Sequence, residues 1–192
     1  MSSSKPTSSS RENFMSAEKF WEIIELSKAD DPQDQLDNLT NRLASMTVDD
    51  IFGFDYRFYK FLEASYNPEL WAAAYIICGS CDDDEFDYFR AWLISKGRAV
   101  YEAALKNPDS LTSVLGEDEI ELEFPENREI FYAAPDAYEE VTGKEDFDDV
   151  LDSFDDDFPV LEIELYWDDD DPKKLEAICP KLFELYYVES YD

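Results

Sequence analysis

The sequence predicts a mainly α-helical fold, a single helical domain with an acidic C-terminal part in which the pattern allows short β-strands. Apolar residues recur at intervals of three and four through most of residues 16–106, as they do on the buried face of a helix. Capping residues and prolines precede these apolar segments. With 44% hydrophobic and 16% aromatic residues among 192, the chain can form a core despite its net charge of -32.

Each of the first three helices has its own start signal. Ser16 is a suitable N-cap for the first helix, and Asp31-Pro32 combines a cap with a proline at the first helical position of the second. Thr47 and Asp50 have the spacing of a capping box before a third helix that is aromatic on nearly every side. We therefore expect this third helix to be central in the fold.

The next three helices are delimited in the same way. Asn67-Pro68 starts an apolar fourth helix that Gly79 ends. The acids of residues 82–85 suit the positive N-terminus of a fifth helix, and Gly97 ends it. A sixth helix spans residues 99–106 and leads into an Asn-Pro turn.

Beyond residue 112 acids interrupt the apolar pairs and the helical period weakens. Residues 120–124 and 160–165 alternate with period two, which is typical of short strands, although a fraying helix also fits. Residues 135–142 indicate a helix, and acid-rich residues 144–157 indicate either a weak amphipathic helix or a mobile loop. A last helix starts at Pro172, and Pro180 is expected to kink it.

This pattern predicts three parts of the chain. Residues 1–14 form a polar, disordered tail, residues 15–112 form the helical core, and residues 113–192 form an acidic part packed on the same domain. No stretch is long and apolar enough for a membrane helix or a secretory signal. The odd cysteine count of 3 favours a reducing compartment, so we expect a cytoplasmic protein.

The charge is uneven and limits the choice of partners. Residues 1–96 contain 18 acids and 9 bases, and residues 97–192 contain 30 acids and 7 bases. Such a field repels nucleic-acid phosphates and anionic membranes, whereas it attracts cations or a basic protein partner. The alternative is that the charge serves solubility alone.

The sequence lacks the residues that several classes of enzyme need for catalysis. The chain has no histidine, which removes histidine-based nucleophile pairs and metal sites, and it has no glycine-rich phosphate loop. Cys78 and Cys81 form a C-x-x-C pair, but the first cysteine ends a helix and only Cys179 remains as a further thiol, so packing is the favoured role. No cofactor is predicted.

Two acidic groups are candidate binding sites. The first comprises Asp82, Asp83, Asp84, Asp87 and Arg90. These residues could hold a hard cation or act in acid–base catalysis, although a helix cap with a surface ion pair is the favoured interpretation. The second is an expected acidic partner surface with Asp155, Asp156, Asp157, Asp168, Asp169, Asp170 and Asp171. Aromatic residues that suit either a core or an interface are Trp21, Trp71, Trp92, Trp167, Tyr186, Tyr187 and Tyr191.

The central segment resembles the bacterial domain of unknown function 4240. The resemblance rests on residues 70–77 (LWAAAYII), Asp82-Asp83, residues 89–94 (FRAWLI), Gly97-Arg98 and residues 107–111 (NPDSL), with weaker flanking matches. It implies a mainly helical cytoplasmic bacterial domain and no mechanism.

The leading hypothesis is a non-catalytic cytoplasmic interaction or regulatory module whose acidic surface binds a basic partner, as an immunity or inhibitor protein does. One alternative is a metal-assisted or acid–base enzyme that uses the cluster of residues 82–87. Another is a mimic of nucleic acid that blocks a DNA-binding protein.

Overall fold

The computed structural model describes residues 10–115, 125–154, 156, 158, 162–168 and 171–187 of the chain. Its regular structure in these residues is helical, which confirms the mainly α class. The α-helices are α1 (Ala17–Ser27), α2 (Pro32–Ala44), α3 (Val48–Ala64), α4 (Pro68–Cys78), α5 (Asp83–Ser95), α6 (Arg98–Lys106), α7 (Ala133–Thr142), α8 (Phe147–Leu151), α9 (Pro172–Ile178) and α10 (Pro180–Tyr186). Short 3-10 helices cover Arg11–Asn13, Pro108–Ser113 and Glu129–Tyr132.

The prediction of short β-strands is not supported. Residues 162–165 have no regular structure, and no strand occurs elsewhere in the part of the chain that the structure describes. An alternating pattern matches the two faces of a strand, but the backbone amides and carbonyls of a strand must also form hydrogen bonds with a neighbouring strand. The other candidate strand, residues 120–124, lies outside the described residues, as do residues 160 and 161.

Local caps set the helix ends where the sequence predicts them. The side chain of Ser16 accepts a hydrogen bond from the Lys19 amide at 3.2 Å, and Asn67 accepts one from the Leu70 amide at 2.9 Å. Gly79 ends α4 with a φ of 77°, a left-handed conformation that glycine adopts without strain. The start of α1 and both ends of α4 therefore follow from local chemistry.

The chain forms two compact units, each built from two separate stretches. The first unit comprises residues 1–60 and 131–160, and the second comprises residues 61–130 and 161–192. The boundary between residues 60 and 61 falls inside α3. Neither unit coincides with the predicted parts 15–112 and 113–192.

In the first unit, α2 packs against α1 and α7. Phe52 of α3 stacks on Phe147 of α8, with ring centroids 4.9 Å apart, and also contacts Tyr138 of α7. Phe20 of α1 stacks on Phe54 at 4.8 Å. The two contacts of Phe52 join α3 to α7 and α8 in the second stretch, whereas the Phe20–Phe54 pair joins α1 to α3.

An N-terminal strap, defined as residues 10–15, lies across α3 in the first unit. Arg57 of α3 donates a hydrogen bond to the carbonyl of Met15 at 2.7 Å and another to the carbonyl of Glu12 at 2.6 Å. A Cβ added at Gly53 would lie 2.8 Å from the Cβ atoms of Phe14 and Met15, so glycine permits this approach. The prediction of a disordered tail to residue 14 thus differs from the structure at residues 10–14, and residues 1–9 lie outside the described residues.

In the second unit, α4 packs against α5, α9 and α10. The rings of Trp71 and Phe86 stack at 4.7 Å. The predicted last helix is two helices rather than one kinked helix, because Pro180 has no amide hydrogen and begins α10 instead of continuing α9. The carboxylate of Asp109 accepts hydrogen bonds from the Lys181 and Leu182 amides, each at 3.1 Å, and so caps α10 from a distant part of the chain.

Candidate functional site

The carboxylates of the first candidate site begin α5. Asp82 and Glu85 form a reciprocal capping box, in which each side chain accepts the other residue's backbone amide at 2.9 Å. Asp83 and Asp84 are exposed in the first turn, where the helix dipole favours negative charge. Asp83 also accepts a hydrogen bond from the Tyr66 hydroxyl at 3.5 Å. Two of the predicted ligands are thus engaged in local structure.

Arg90 is buried with its guanidinium in use. It donates hydrogen bonds to the carbonyls of Leu62 and Phe86 and forms an ion pair with Asp87. The guanidinium carbon lies 4.7 Å from the ring centroid of Tyr66 and 4.9 Å from that of Phe86. Burial lowers the pKa of Arg90, an effect that the charge of Asp87 opposes. These contacts give Arg90 a structural role in joining α5 to the end of α3.

The five predicted binding residues do not converge on one point. In the part of the chain that the structure describes, no group of three or more cysteine, aspartate or glutamate side chains could hold a metal ion. The cap and the ion pair therefore account for the arrangement of Asp82, Asp83, Asp84, Asp87 and Arg90 more fully than a cation site does.

The thiols are in surroundings that disfavour the reactive thiolate. Burial raises the pKa of Cys81 to about 12, with further increases from the charges of Glu85 and Asp82. Burial likewise raises the pKa of Cys78, and it raises that of Cys179 to about 12. All three cysteines are free thiols. A C-x-x-C redox pair needs a lowered thiol pKa, so the raised pKa values of Cys78 and Cys81 disfavour that role.

The four tryptophans and Tyr186 belong to the core. Trp21, Trp71, Trp92 and Trp167 are buried. Tyr186 is buried and donates a hydrogen bond to the carbonyl of Leu115 at 3.4 Å. The remaining predicted patch residues are Tyr187, which stacks on Phe183 at 4.2 Å, and Tyr191, which lies outside the described residues.

Only some of the described residues of the second candidate site are exposed. Asp168 is exposed, whereas Asp171 is half-buried and forms an ion pair with Lys174 at 3.3 Å. The structure does not describe Asp155, Asp157, Asp169 and Asp170. The prediction is wrong for Asp156, whose side chain is only 5% exposed because it pairs with Arg11.

Asp156 and Asp55 both bind the guanidinium of Arg11. Arg11 contacts each carboxylate at 2.5 Å, and Asp156 accepts further hydrogen bonds from the Arg11 amide and the Ser10 hydroxyl, both at 2.9 Å. Burial raises the pKa of Asp55 to about 6, although Arg11 acts to lower it. Burial also acts to raise the pKa of Asp156, but hydrogen bonds from Arg11 and Ser10 hold it below its ordinary value. Sequence reasoning missed this cluster, since Arg11 and Asp156 are 145 residues apart.

An exposed acidic surface lies on α7, α8 and the loop between them. Residues 136–152, here named the α7–α8 acidic segment, contain eight acids and one base, Lys144. Lys144 forms an ion pair with Asp146 at 3.8 Å. The exposed acids of the segment are Asp136, Glu139, Glu140, Glu145, Asp148, Asp149 and Asp152. The density of acids in residues 144–157 was the sequence signal for this surface.

The fold and these sites define a helical protein with an acidic surface. Comparison with known families shows that the chain belongs to the family described as "Protein of unknown function (DUF4240)", whose model matches residues 15–140. The match ends within α7, before α8, α9 and α10. Searches of curated proteins and of solved structures gave no match. None of the helices that the structure describes has both the length and the hydropathy of a membrane span.

Proposed function

We propose that the protein is a non-catalytic interaction or regulatory module of the bacterial cytoplasm that binds a basic protein partner through its acidic surface. The observation that supports this function is the exposure of seven carboxylates in the α7–α8 acidic segment, which contains a single lysine. Carboxylates that are already paired within the fold would offer little to a partner, whereas these are directed to solvent.

The electrostatics of the segment favour recognition by charge. With eight acids and one base, the segment has a formal charge of -7 within 17 residues. Opposite charge on a partner accelerates association and excludes acidic competitors, and salt screens the attraction over a Debye length of about 8 Å at physiological ionic strength. A complex formed in this way weakens as salt is added.

The catalytic alternative has less support. The residues expected to act in acid–base or metal chemistry are engaged as caps and ion pairs of α5, and burial raises the pKa of the cysteine thiols. Asp82, Asp87 and Arg90 each have a partner within α5, and Asp84 lies in its first turn, where the helix dipole favours negative charge.

The test is a pull-down from the native lysate with two matched variants. The segment variant Asp148→Asn/Asp149→Asn/Asp152→Asn removes three exposed charges from α8 and its C-terminal turn. The control variant Glu18→Gln/Asp30→Asn/Asp37→Asn removes three exposed charges from elsewhere in the first unit. The two variants therefore have the same net charge and differ only in where the charge is lost.

We expect wild type and control to retain the same basic protein, and the segment variant to lose it. Binding should fall steeply as salt increases from about 0.05 M to 0.5 M, because the Debye length falls in step. Retention of no protein, or of one whose binding is insensitive to salt, contradicts the proposal. Equal loss in both variants would show that total charge rather than this surface is responsible.

A further inference from the structure

Arg11 occupies an enclosed cage of opposite charge in the first unit. Its side chain is only 6% exposed, and Asp55 and Asp156 contact different nitrogens of the guanidinium, each at 2.5 Å. The planar guanidinium presents several N–H donors, which suits simultaneous contact with two carboxylates.

Three aromatic rings complete the cage. The guanidinium carbon lies 5.7 Å from the ring centroids of Tyr56 and Phe154 and 5.8 Å from that of Phe158. A cation within about 6 Å of an aromatic ring is attracted to its π face. Two carboxylates on separate guanidinium nitrogens and three nearby rings suit the planar guanidinium better than a neutral side chain or a lysine ammonium.

Charges of both signs surround the cage, since the Lys60 amino nitrogen lies 4.7 Å from the Phe158 centroid and the Arg57 guanidinium carbon lies 5.5 Å from the Tyr56 centroid. Two carboxylates face one guanidinium, and the charge of Asp148 on α8 also acts on Asp55. Asp148 belongs to the α7–α8 acidic segment, so the cage lies within the electrostatic reach of the surface that the proposed function assigns to the partner. A basic partner attracted to the segment arrives near the cage.

The occupant belongs to a short segment that precedes α1. Arg11 lies on the N-terminal strap, which is held by two hydrogen bonds from Arg57 and by close packing at Gly53. Displacement of residues 10–15 would break these contacts without interrupting any α-helix, since α1 begins at Ala17. Displacement leaves two buried carboxylates without their cation, which costs free energy unless another cation replaces Arg11.

We propose that this cage is an arginine-recognition site that Arg11 fills in cis, and that a partner's arginine enters when the strap is displaced. The proposal rests on the proposed function, because the incoming arginine belongs to the basic protein partner. The strap then acts as an internal competitor that lowers the partner's apparent affinity.

The first experiment empties the cage in the full chain with Arg11→Ala and adds methylguanidinium as a probe. We expect saturable binding by the variant at least about tenfold tighter than by wild type, because the cis ligand no longer competes. Methylguanidinium should also raise the thermal midpoint of Arg11→Ala, whereas methylammonium should not. Arg98→Ala, which removes an exposed arginine paired with Glu102, is the matched control and should show no such rescue.

A second variant keeps the test valid if Arg11→Ala does not fold. Gly53→Ala leaves every cage residue in place but brings its Cβ against the strap, so it should also increase methylguanidinium binding over wild type. Adding Asp156→Asn to either variant should abolish that gain, because one wall of the cage loses its charge. The cage proposal is overturned if neither variant binds methylguanidinium more tightly than wild type, or if methylammonium binds equally well.

The partner itself separates the two proposals. If the basic partner binds Gly53→Ala more tightly than wild type, the cage is its arginine site. If it binds both equally, the cage is a structural ion pair and the proposed function stands alone. If no basic partner exists, the proposed function fails, and methylguanidinium binding still decides whether the cage accepts an external guanidinium.

Discussion

Asp55 and Asp156 both contact the guanidinium of Arg11, yet their pKa values are shifted in opposite directions. Burial raises the pKa of Asp55 to about 6, whereas hydrogen bonds from Arg11 and Ser10 outweigh burial and lower the pKa of Asp156. Asp156 accepts hydrogen bonds from three donors, and Asp55 accepts one from Arg11 and also faces the charges of Asp148 and Asp156. One arginine therefore stabilises one of the two carboxylates as an anion and leaves the other easily protonated.

The raised pKa of Asp55 predicts a stability that depends on pH. Between about pH 4 and pH 6 the folded chain keeps a proton on Asp55 that the unfolded chain has released, so the contribution of this group to stability falls as pH rises. Asp55→Asn cannot titrate. We expect the free energy of unfolding of the variant, relative to wild type, to rise by roughly 2–3 kcal/mol between pH 4 and pH 7. Urea denaturation across this range checks it, and a constant difference would contradict it.

Arg90→Ala should destabilise the chain by about 2–4 kcal/mol, because it leaves the buried carbonyl of Leu62 without its donor and removes the packing on Tyr66 and Phe86. Arg98→Ala is the control, since Arg98 is exposed, and it should change stability by less than about 0.5 kcal/mol. Chemical denaturation measures both. Equal effects of the two substitutions would show that Arg90 does not have the structural role assigned to it.

Asp109→Ala should cost about 1–2 kcal/mol, because the first amides of α10 lose their acceptor. Asp171→Ala is a matched control, since Asp171 precedes α9 without a side-chain hydrogen bond to its backbone, and it should cost less than about 0.5 kcal/mol. Amide exchange at Lys181 and Leu182 should become faster in Asp109→Ala alone. Unchanged exchange there would refute the cap.

Gly53→Ala should lower stability by about 1–2 kcal/mol, although alanine in a helix is ordinarily favoured over glycine by about 1 kcal/mol. The added Cβ would lie 2.8 Å from Phe14 and Met15, so the strap must shift. Hydrogen exchange of residues 10–15 should increase, while that of α1 should not. A higher melting temperature with unchanged exchange would show that the strap tolerates the methyl group.

The raised thiol pKa values predict slow alkylation. At pH 8 iodoacetamide should modify Cys81 and Cys179 at least about tenfold more slowly than a free thiol, because burial raises each pKa to about 12 and leaves little thiolate. The same chain unfolded in urea is the control and should react at the free rate. Fast labelling of the folded chain would disprove the assignment.

The parts of the fold that could be predicted from the sequence depend on near neighbours. Ser16 caps α1, Asn67 caps α4, and Gly79 ends α4 through contacts within four residues, so the local sequence contains the information. The failures involve distant partners. The prediction of an exposed Asp156 fails because nothing near it in the sequence indicates Arg11. The alternation of residues 160–165 indicates a strand or a fraying helix, whereas the described residues 162–165 have no regular structure.

The interleaving of the two units restricts how the molecule can be divided. The chain passes from one unit to the other between residues 60 and 61, returns between 130 and 131, and leaves again between 160 and 161. Any single cut in residues 61–160 therefore removes part of both units, and a fragment that stops at residue 140, where the family match ends, would lose α8, Asp156, α9 and α10 together. Limited proteolysis within residues 61–160 should therefore disrupt both units at once, and neither unit can be expressed alone as one continuous stretch of the chain.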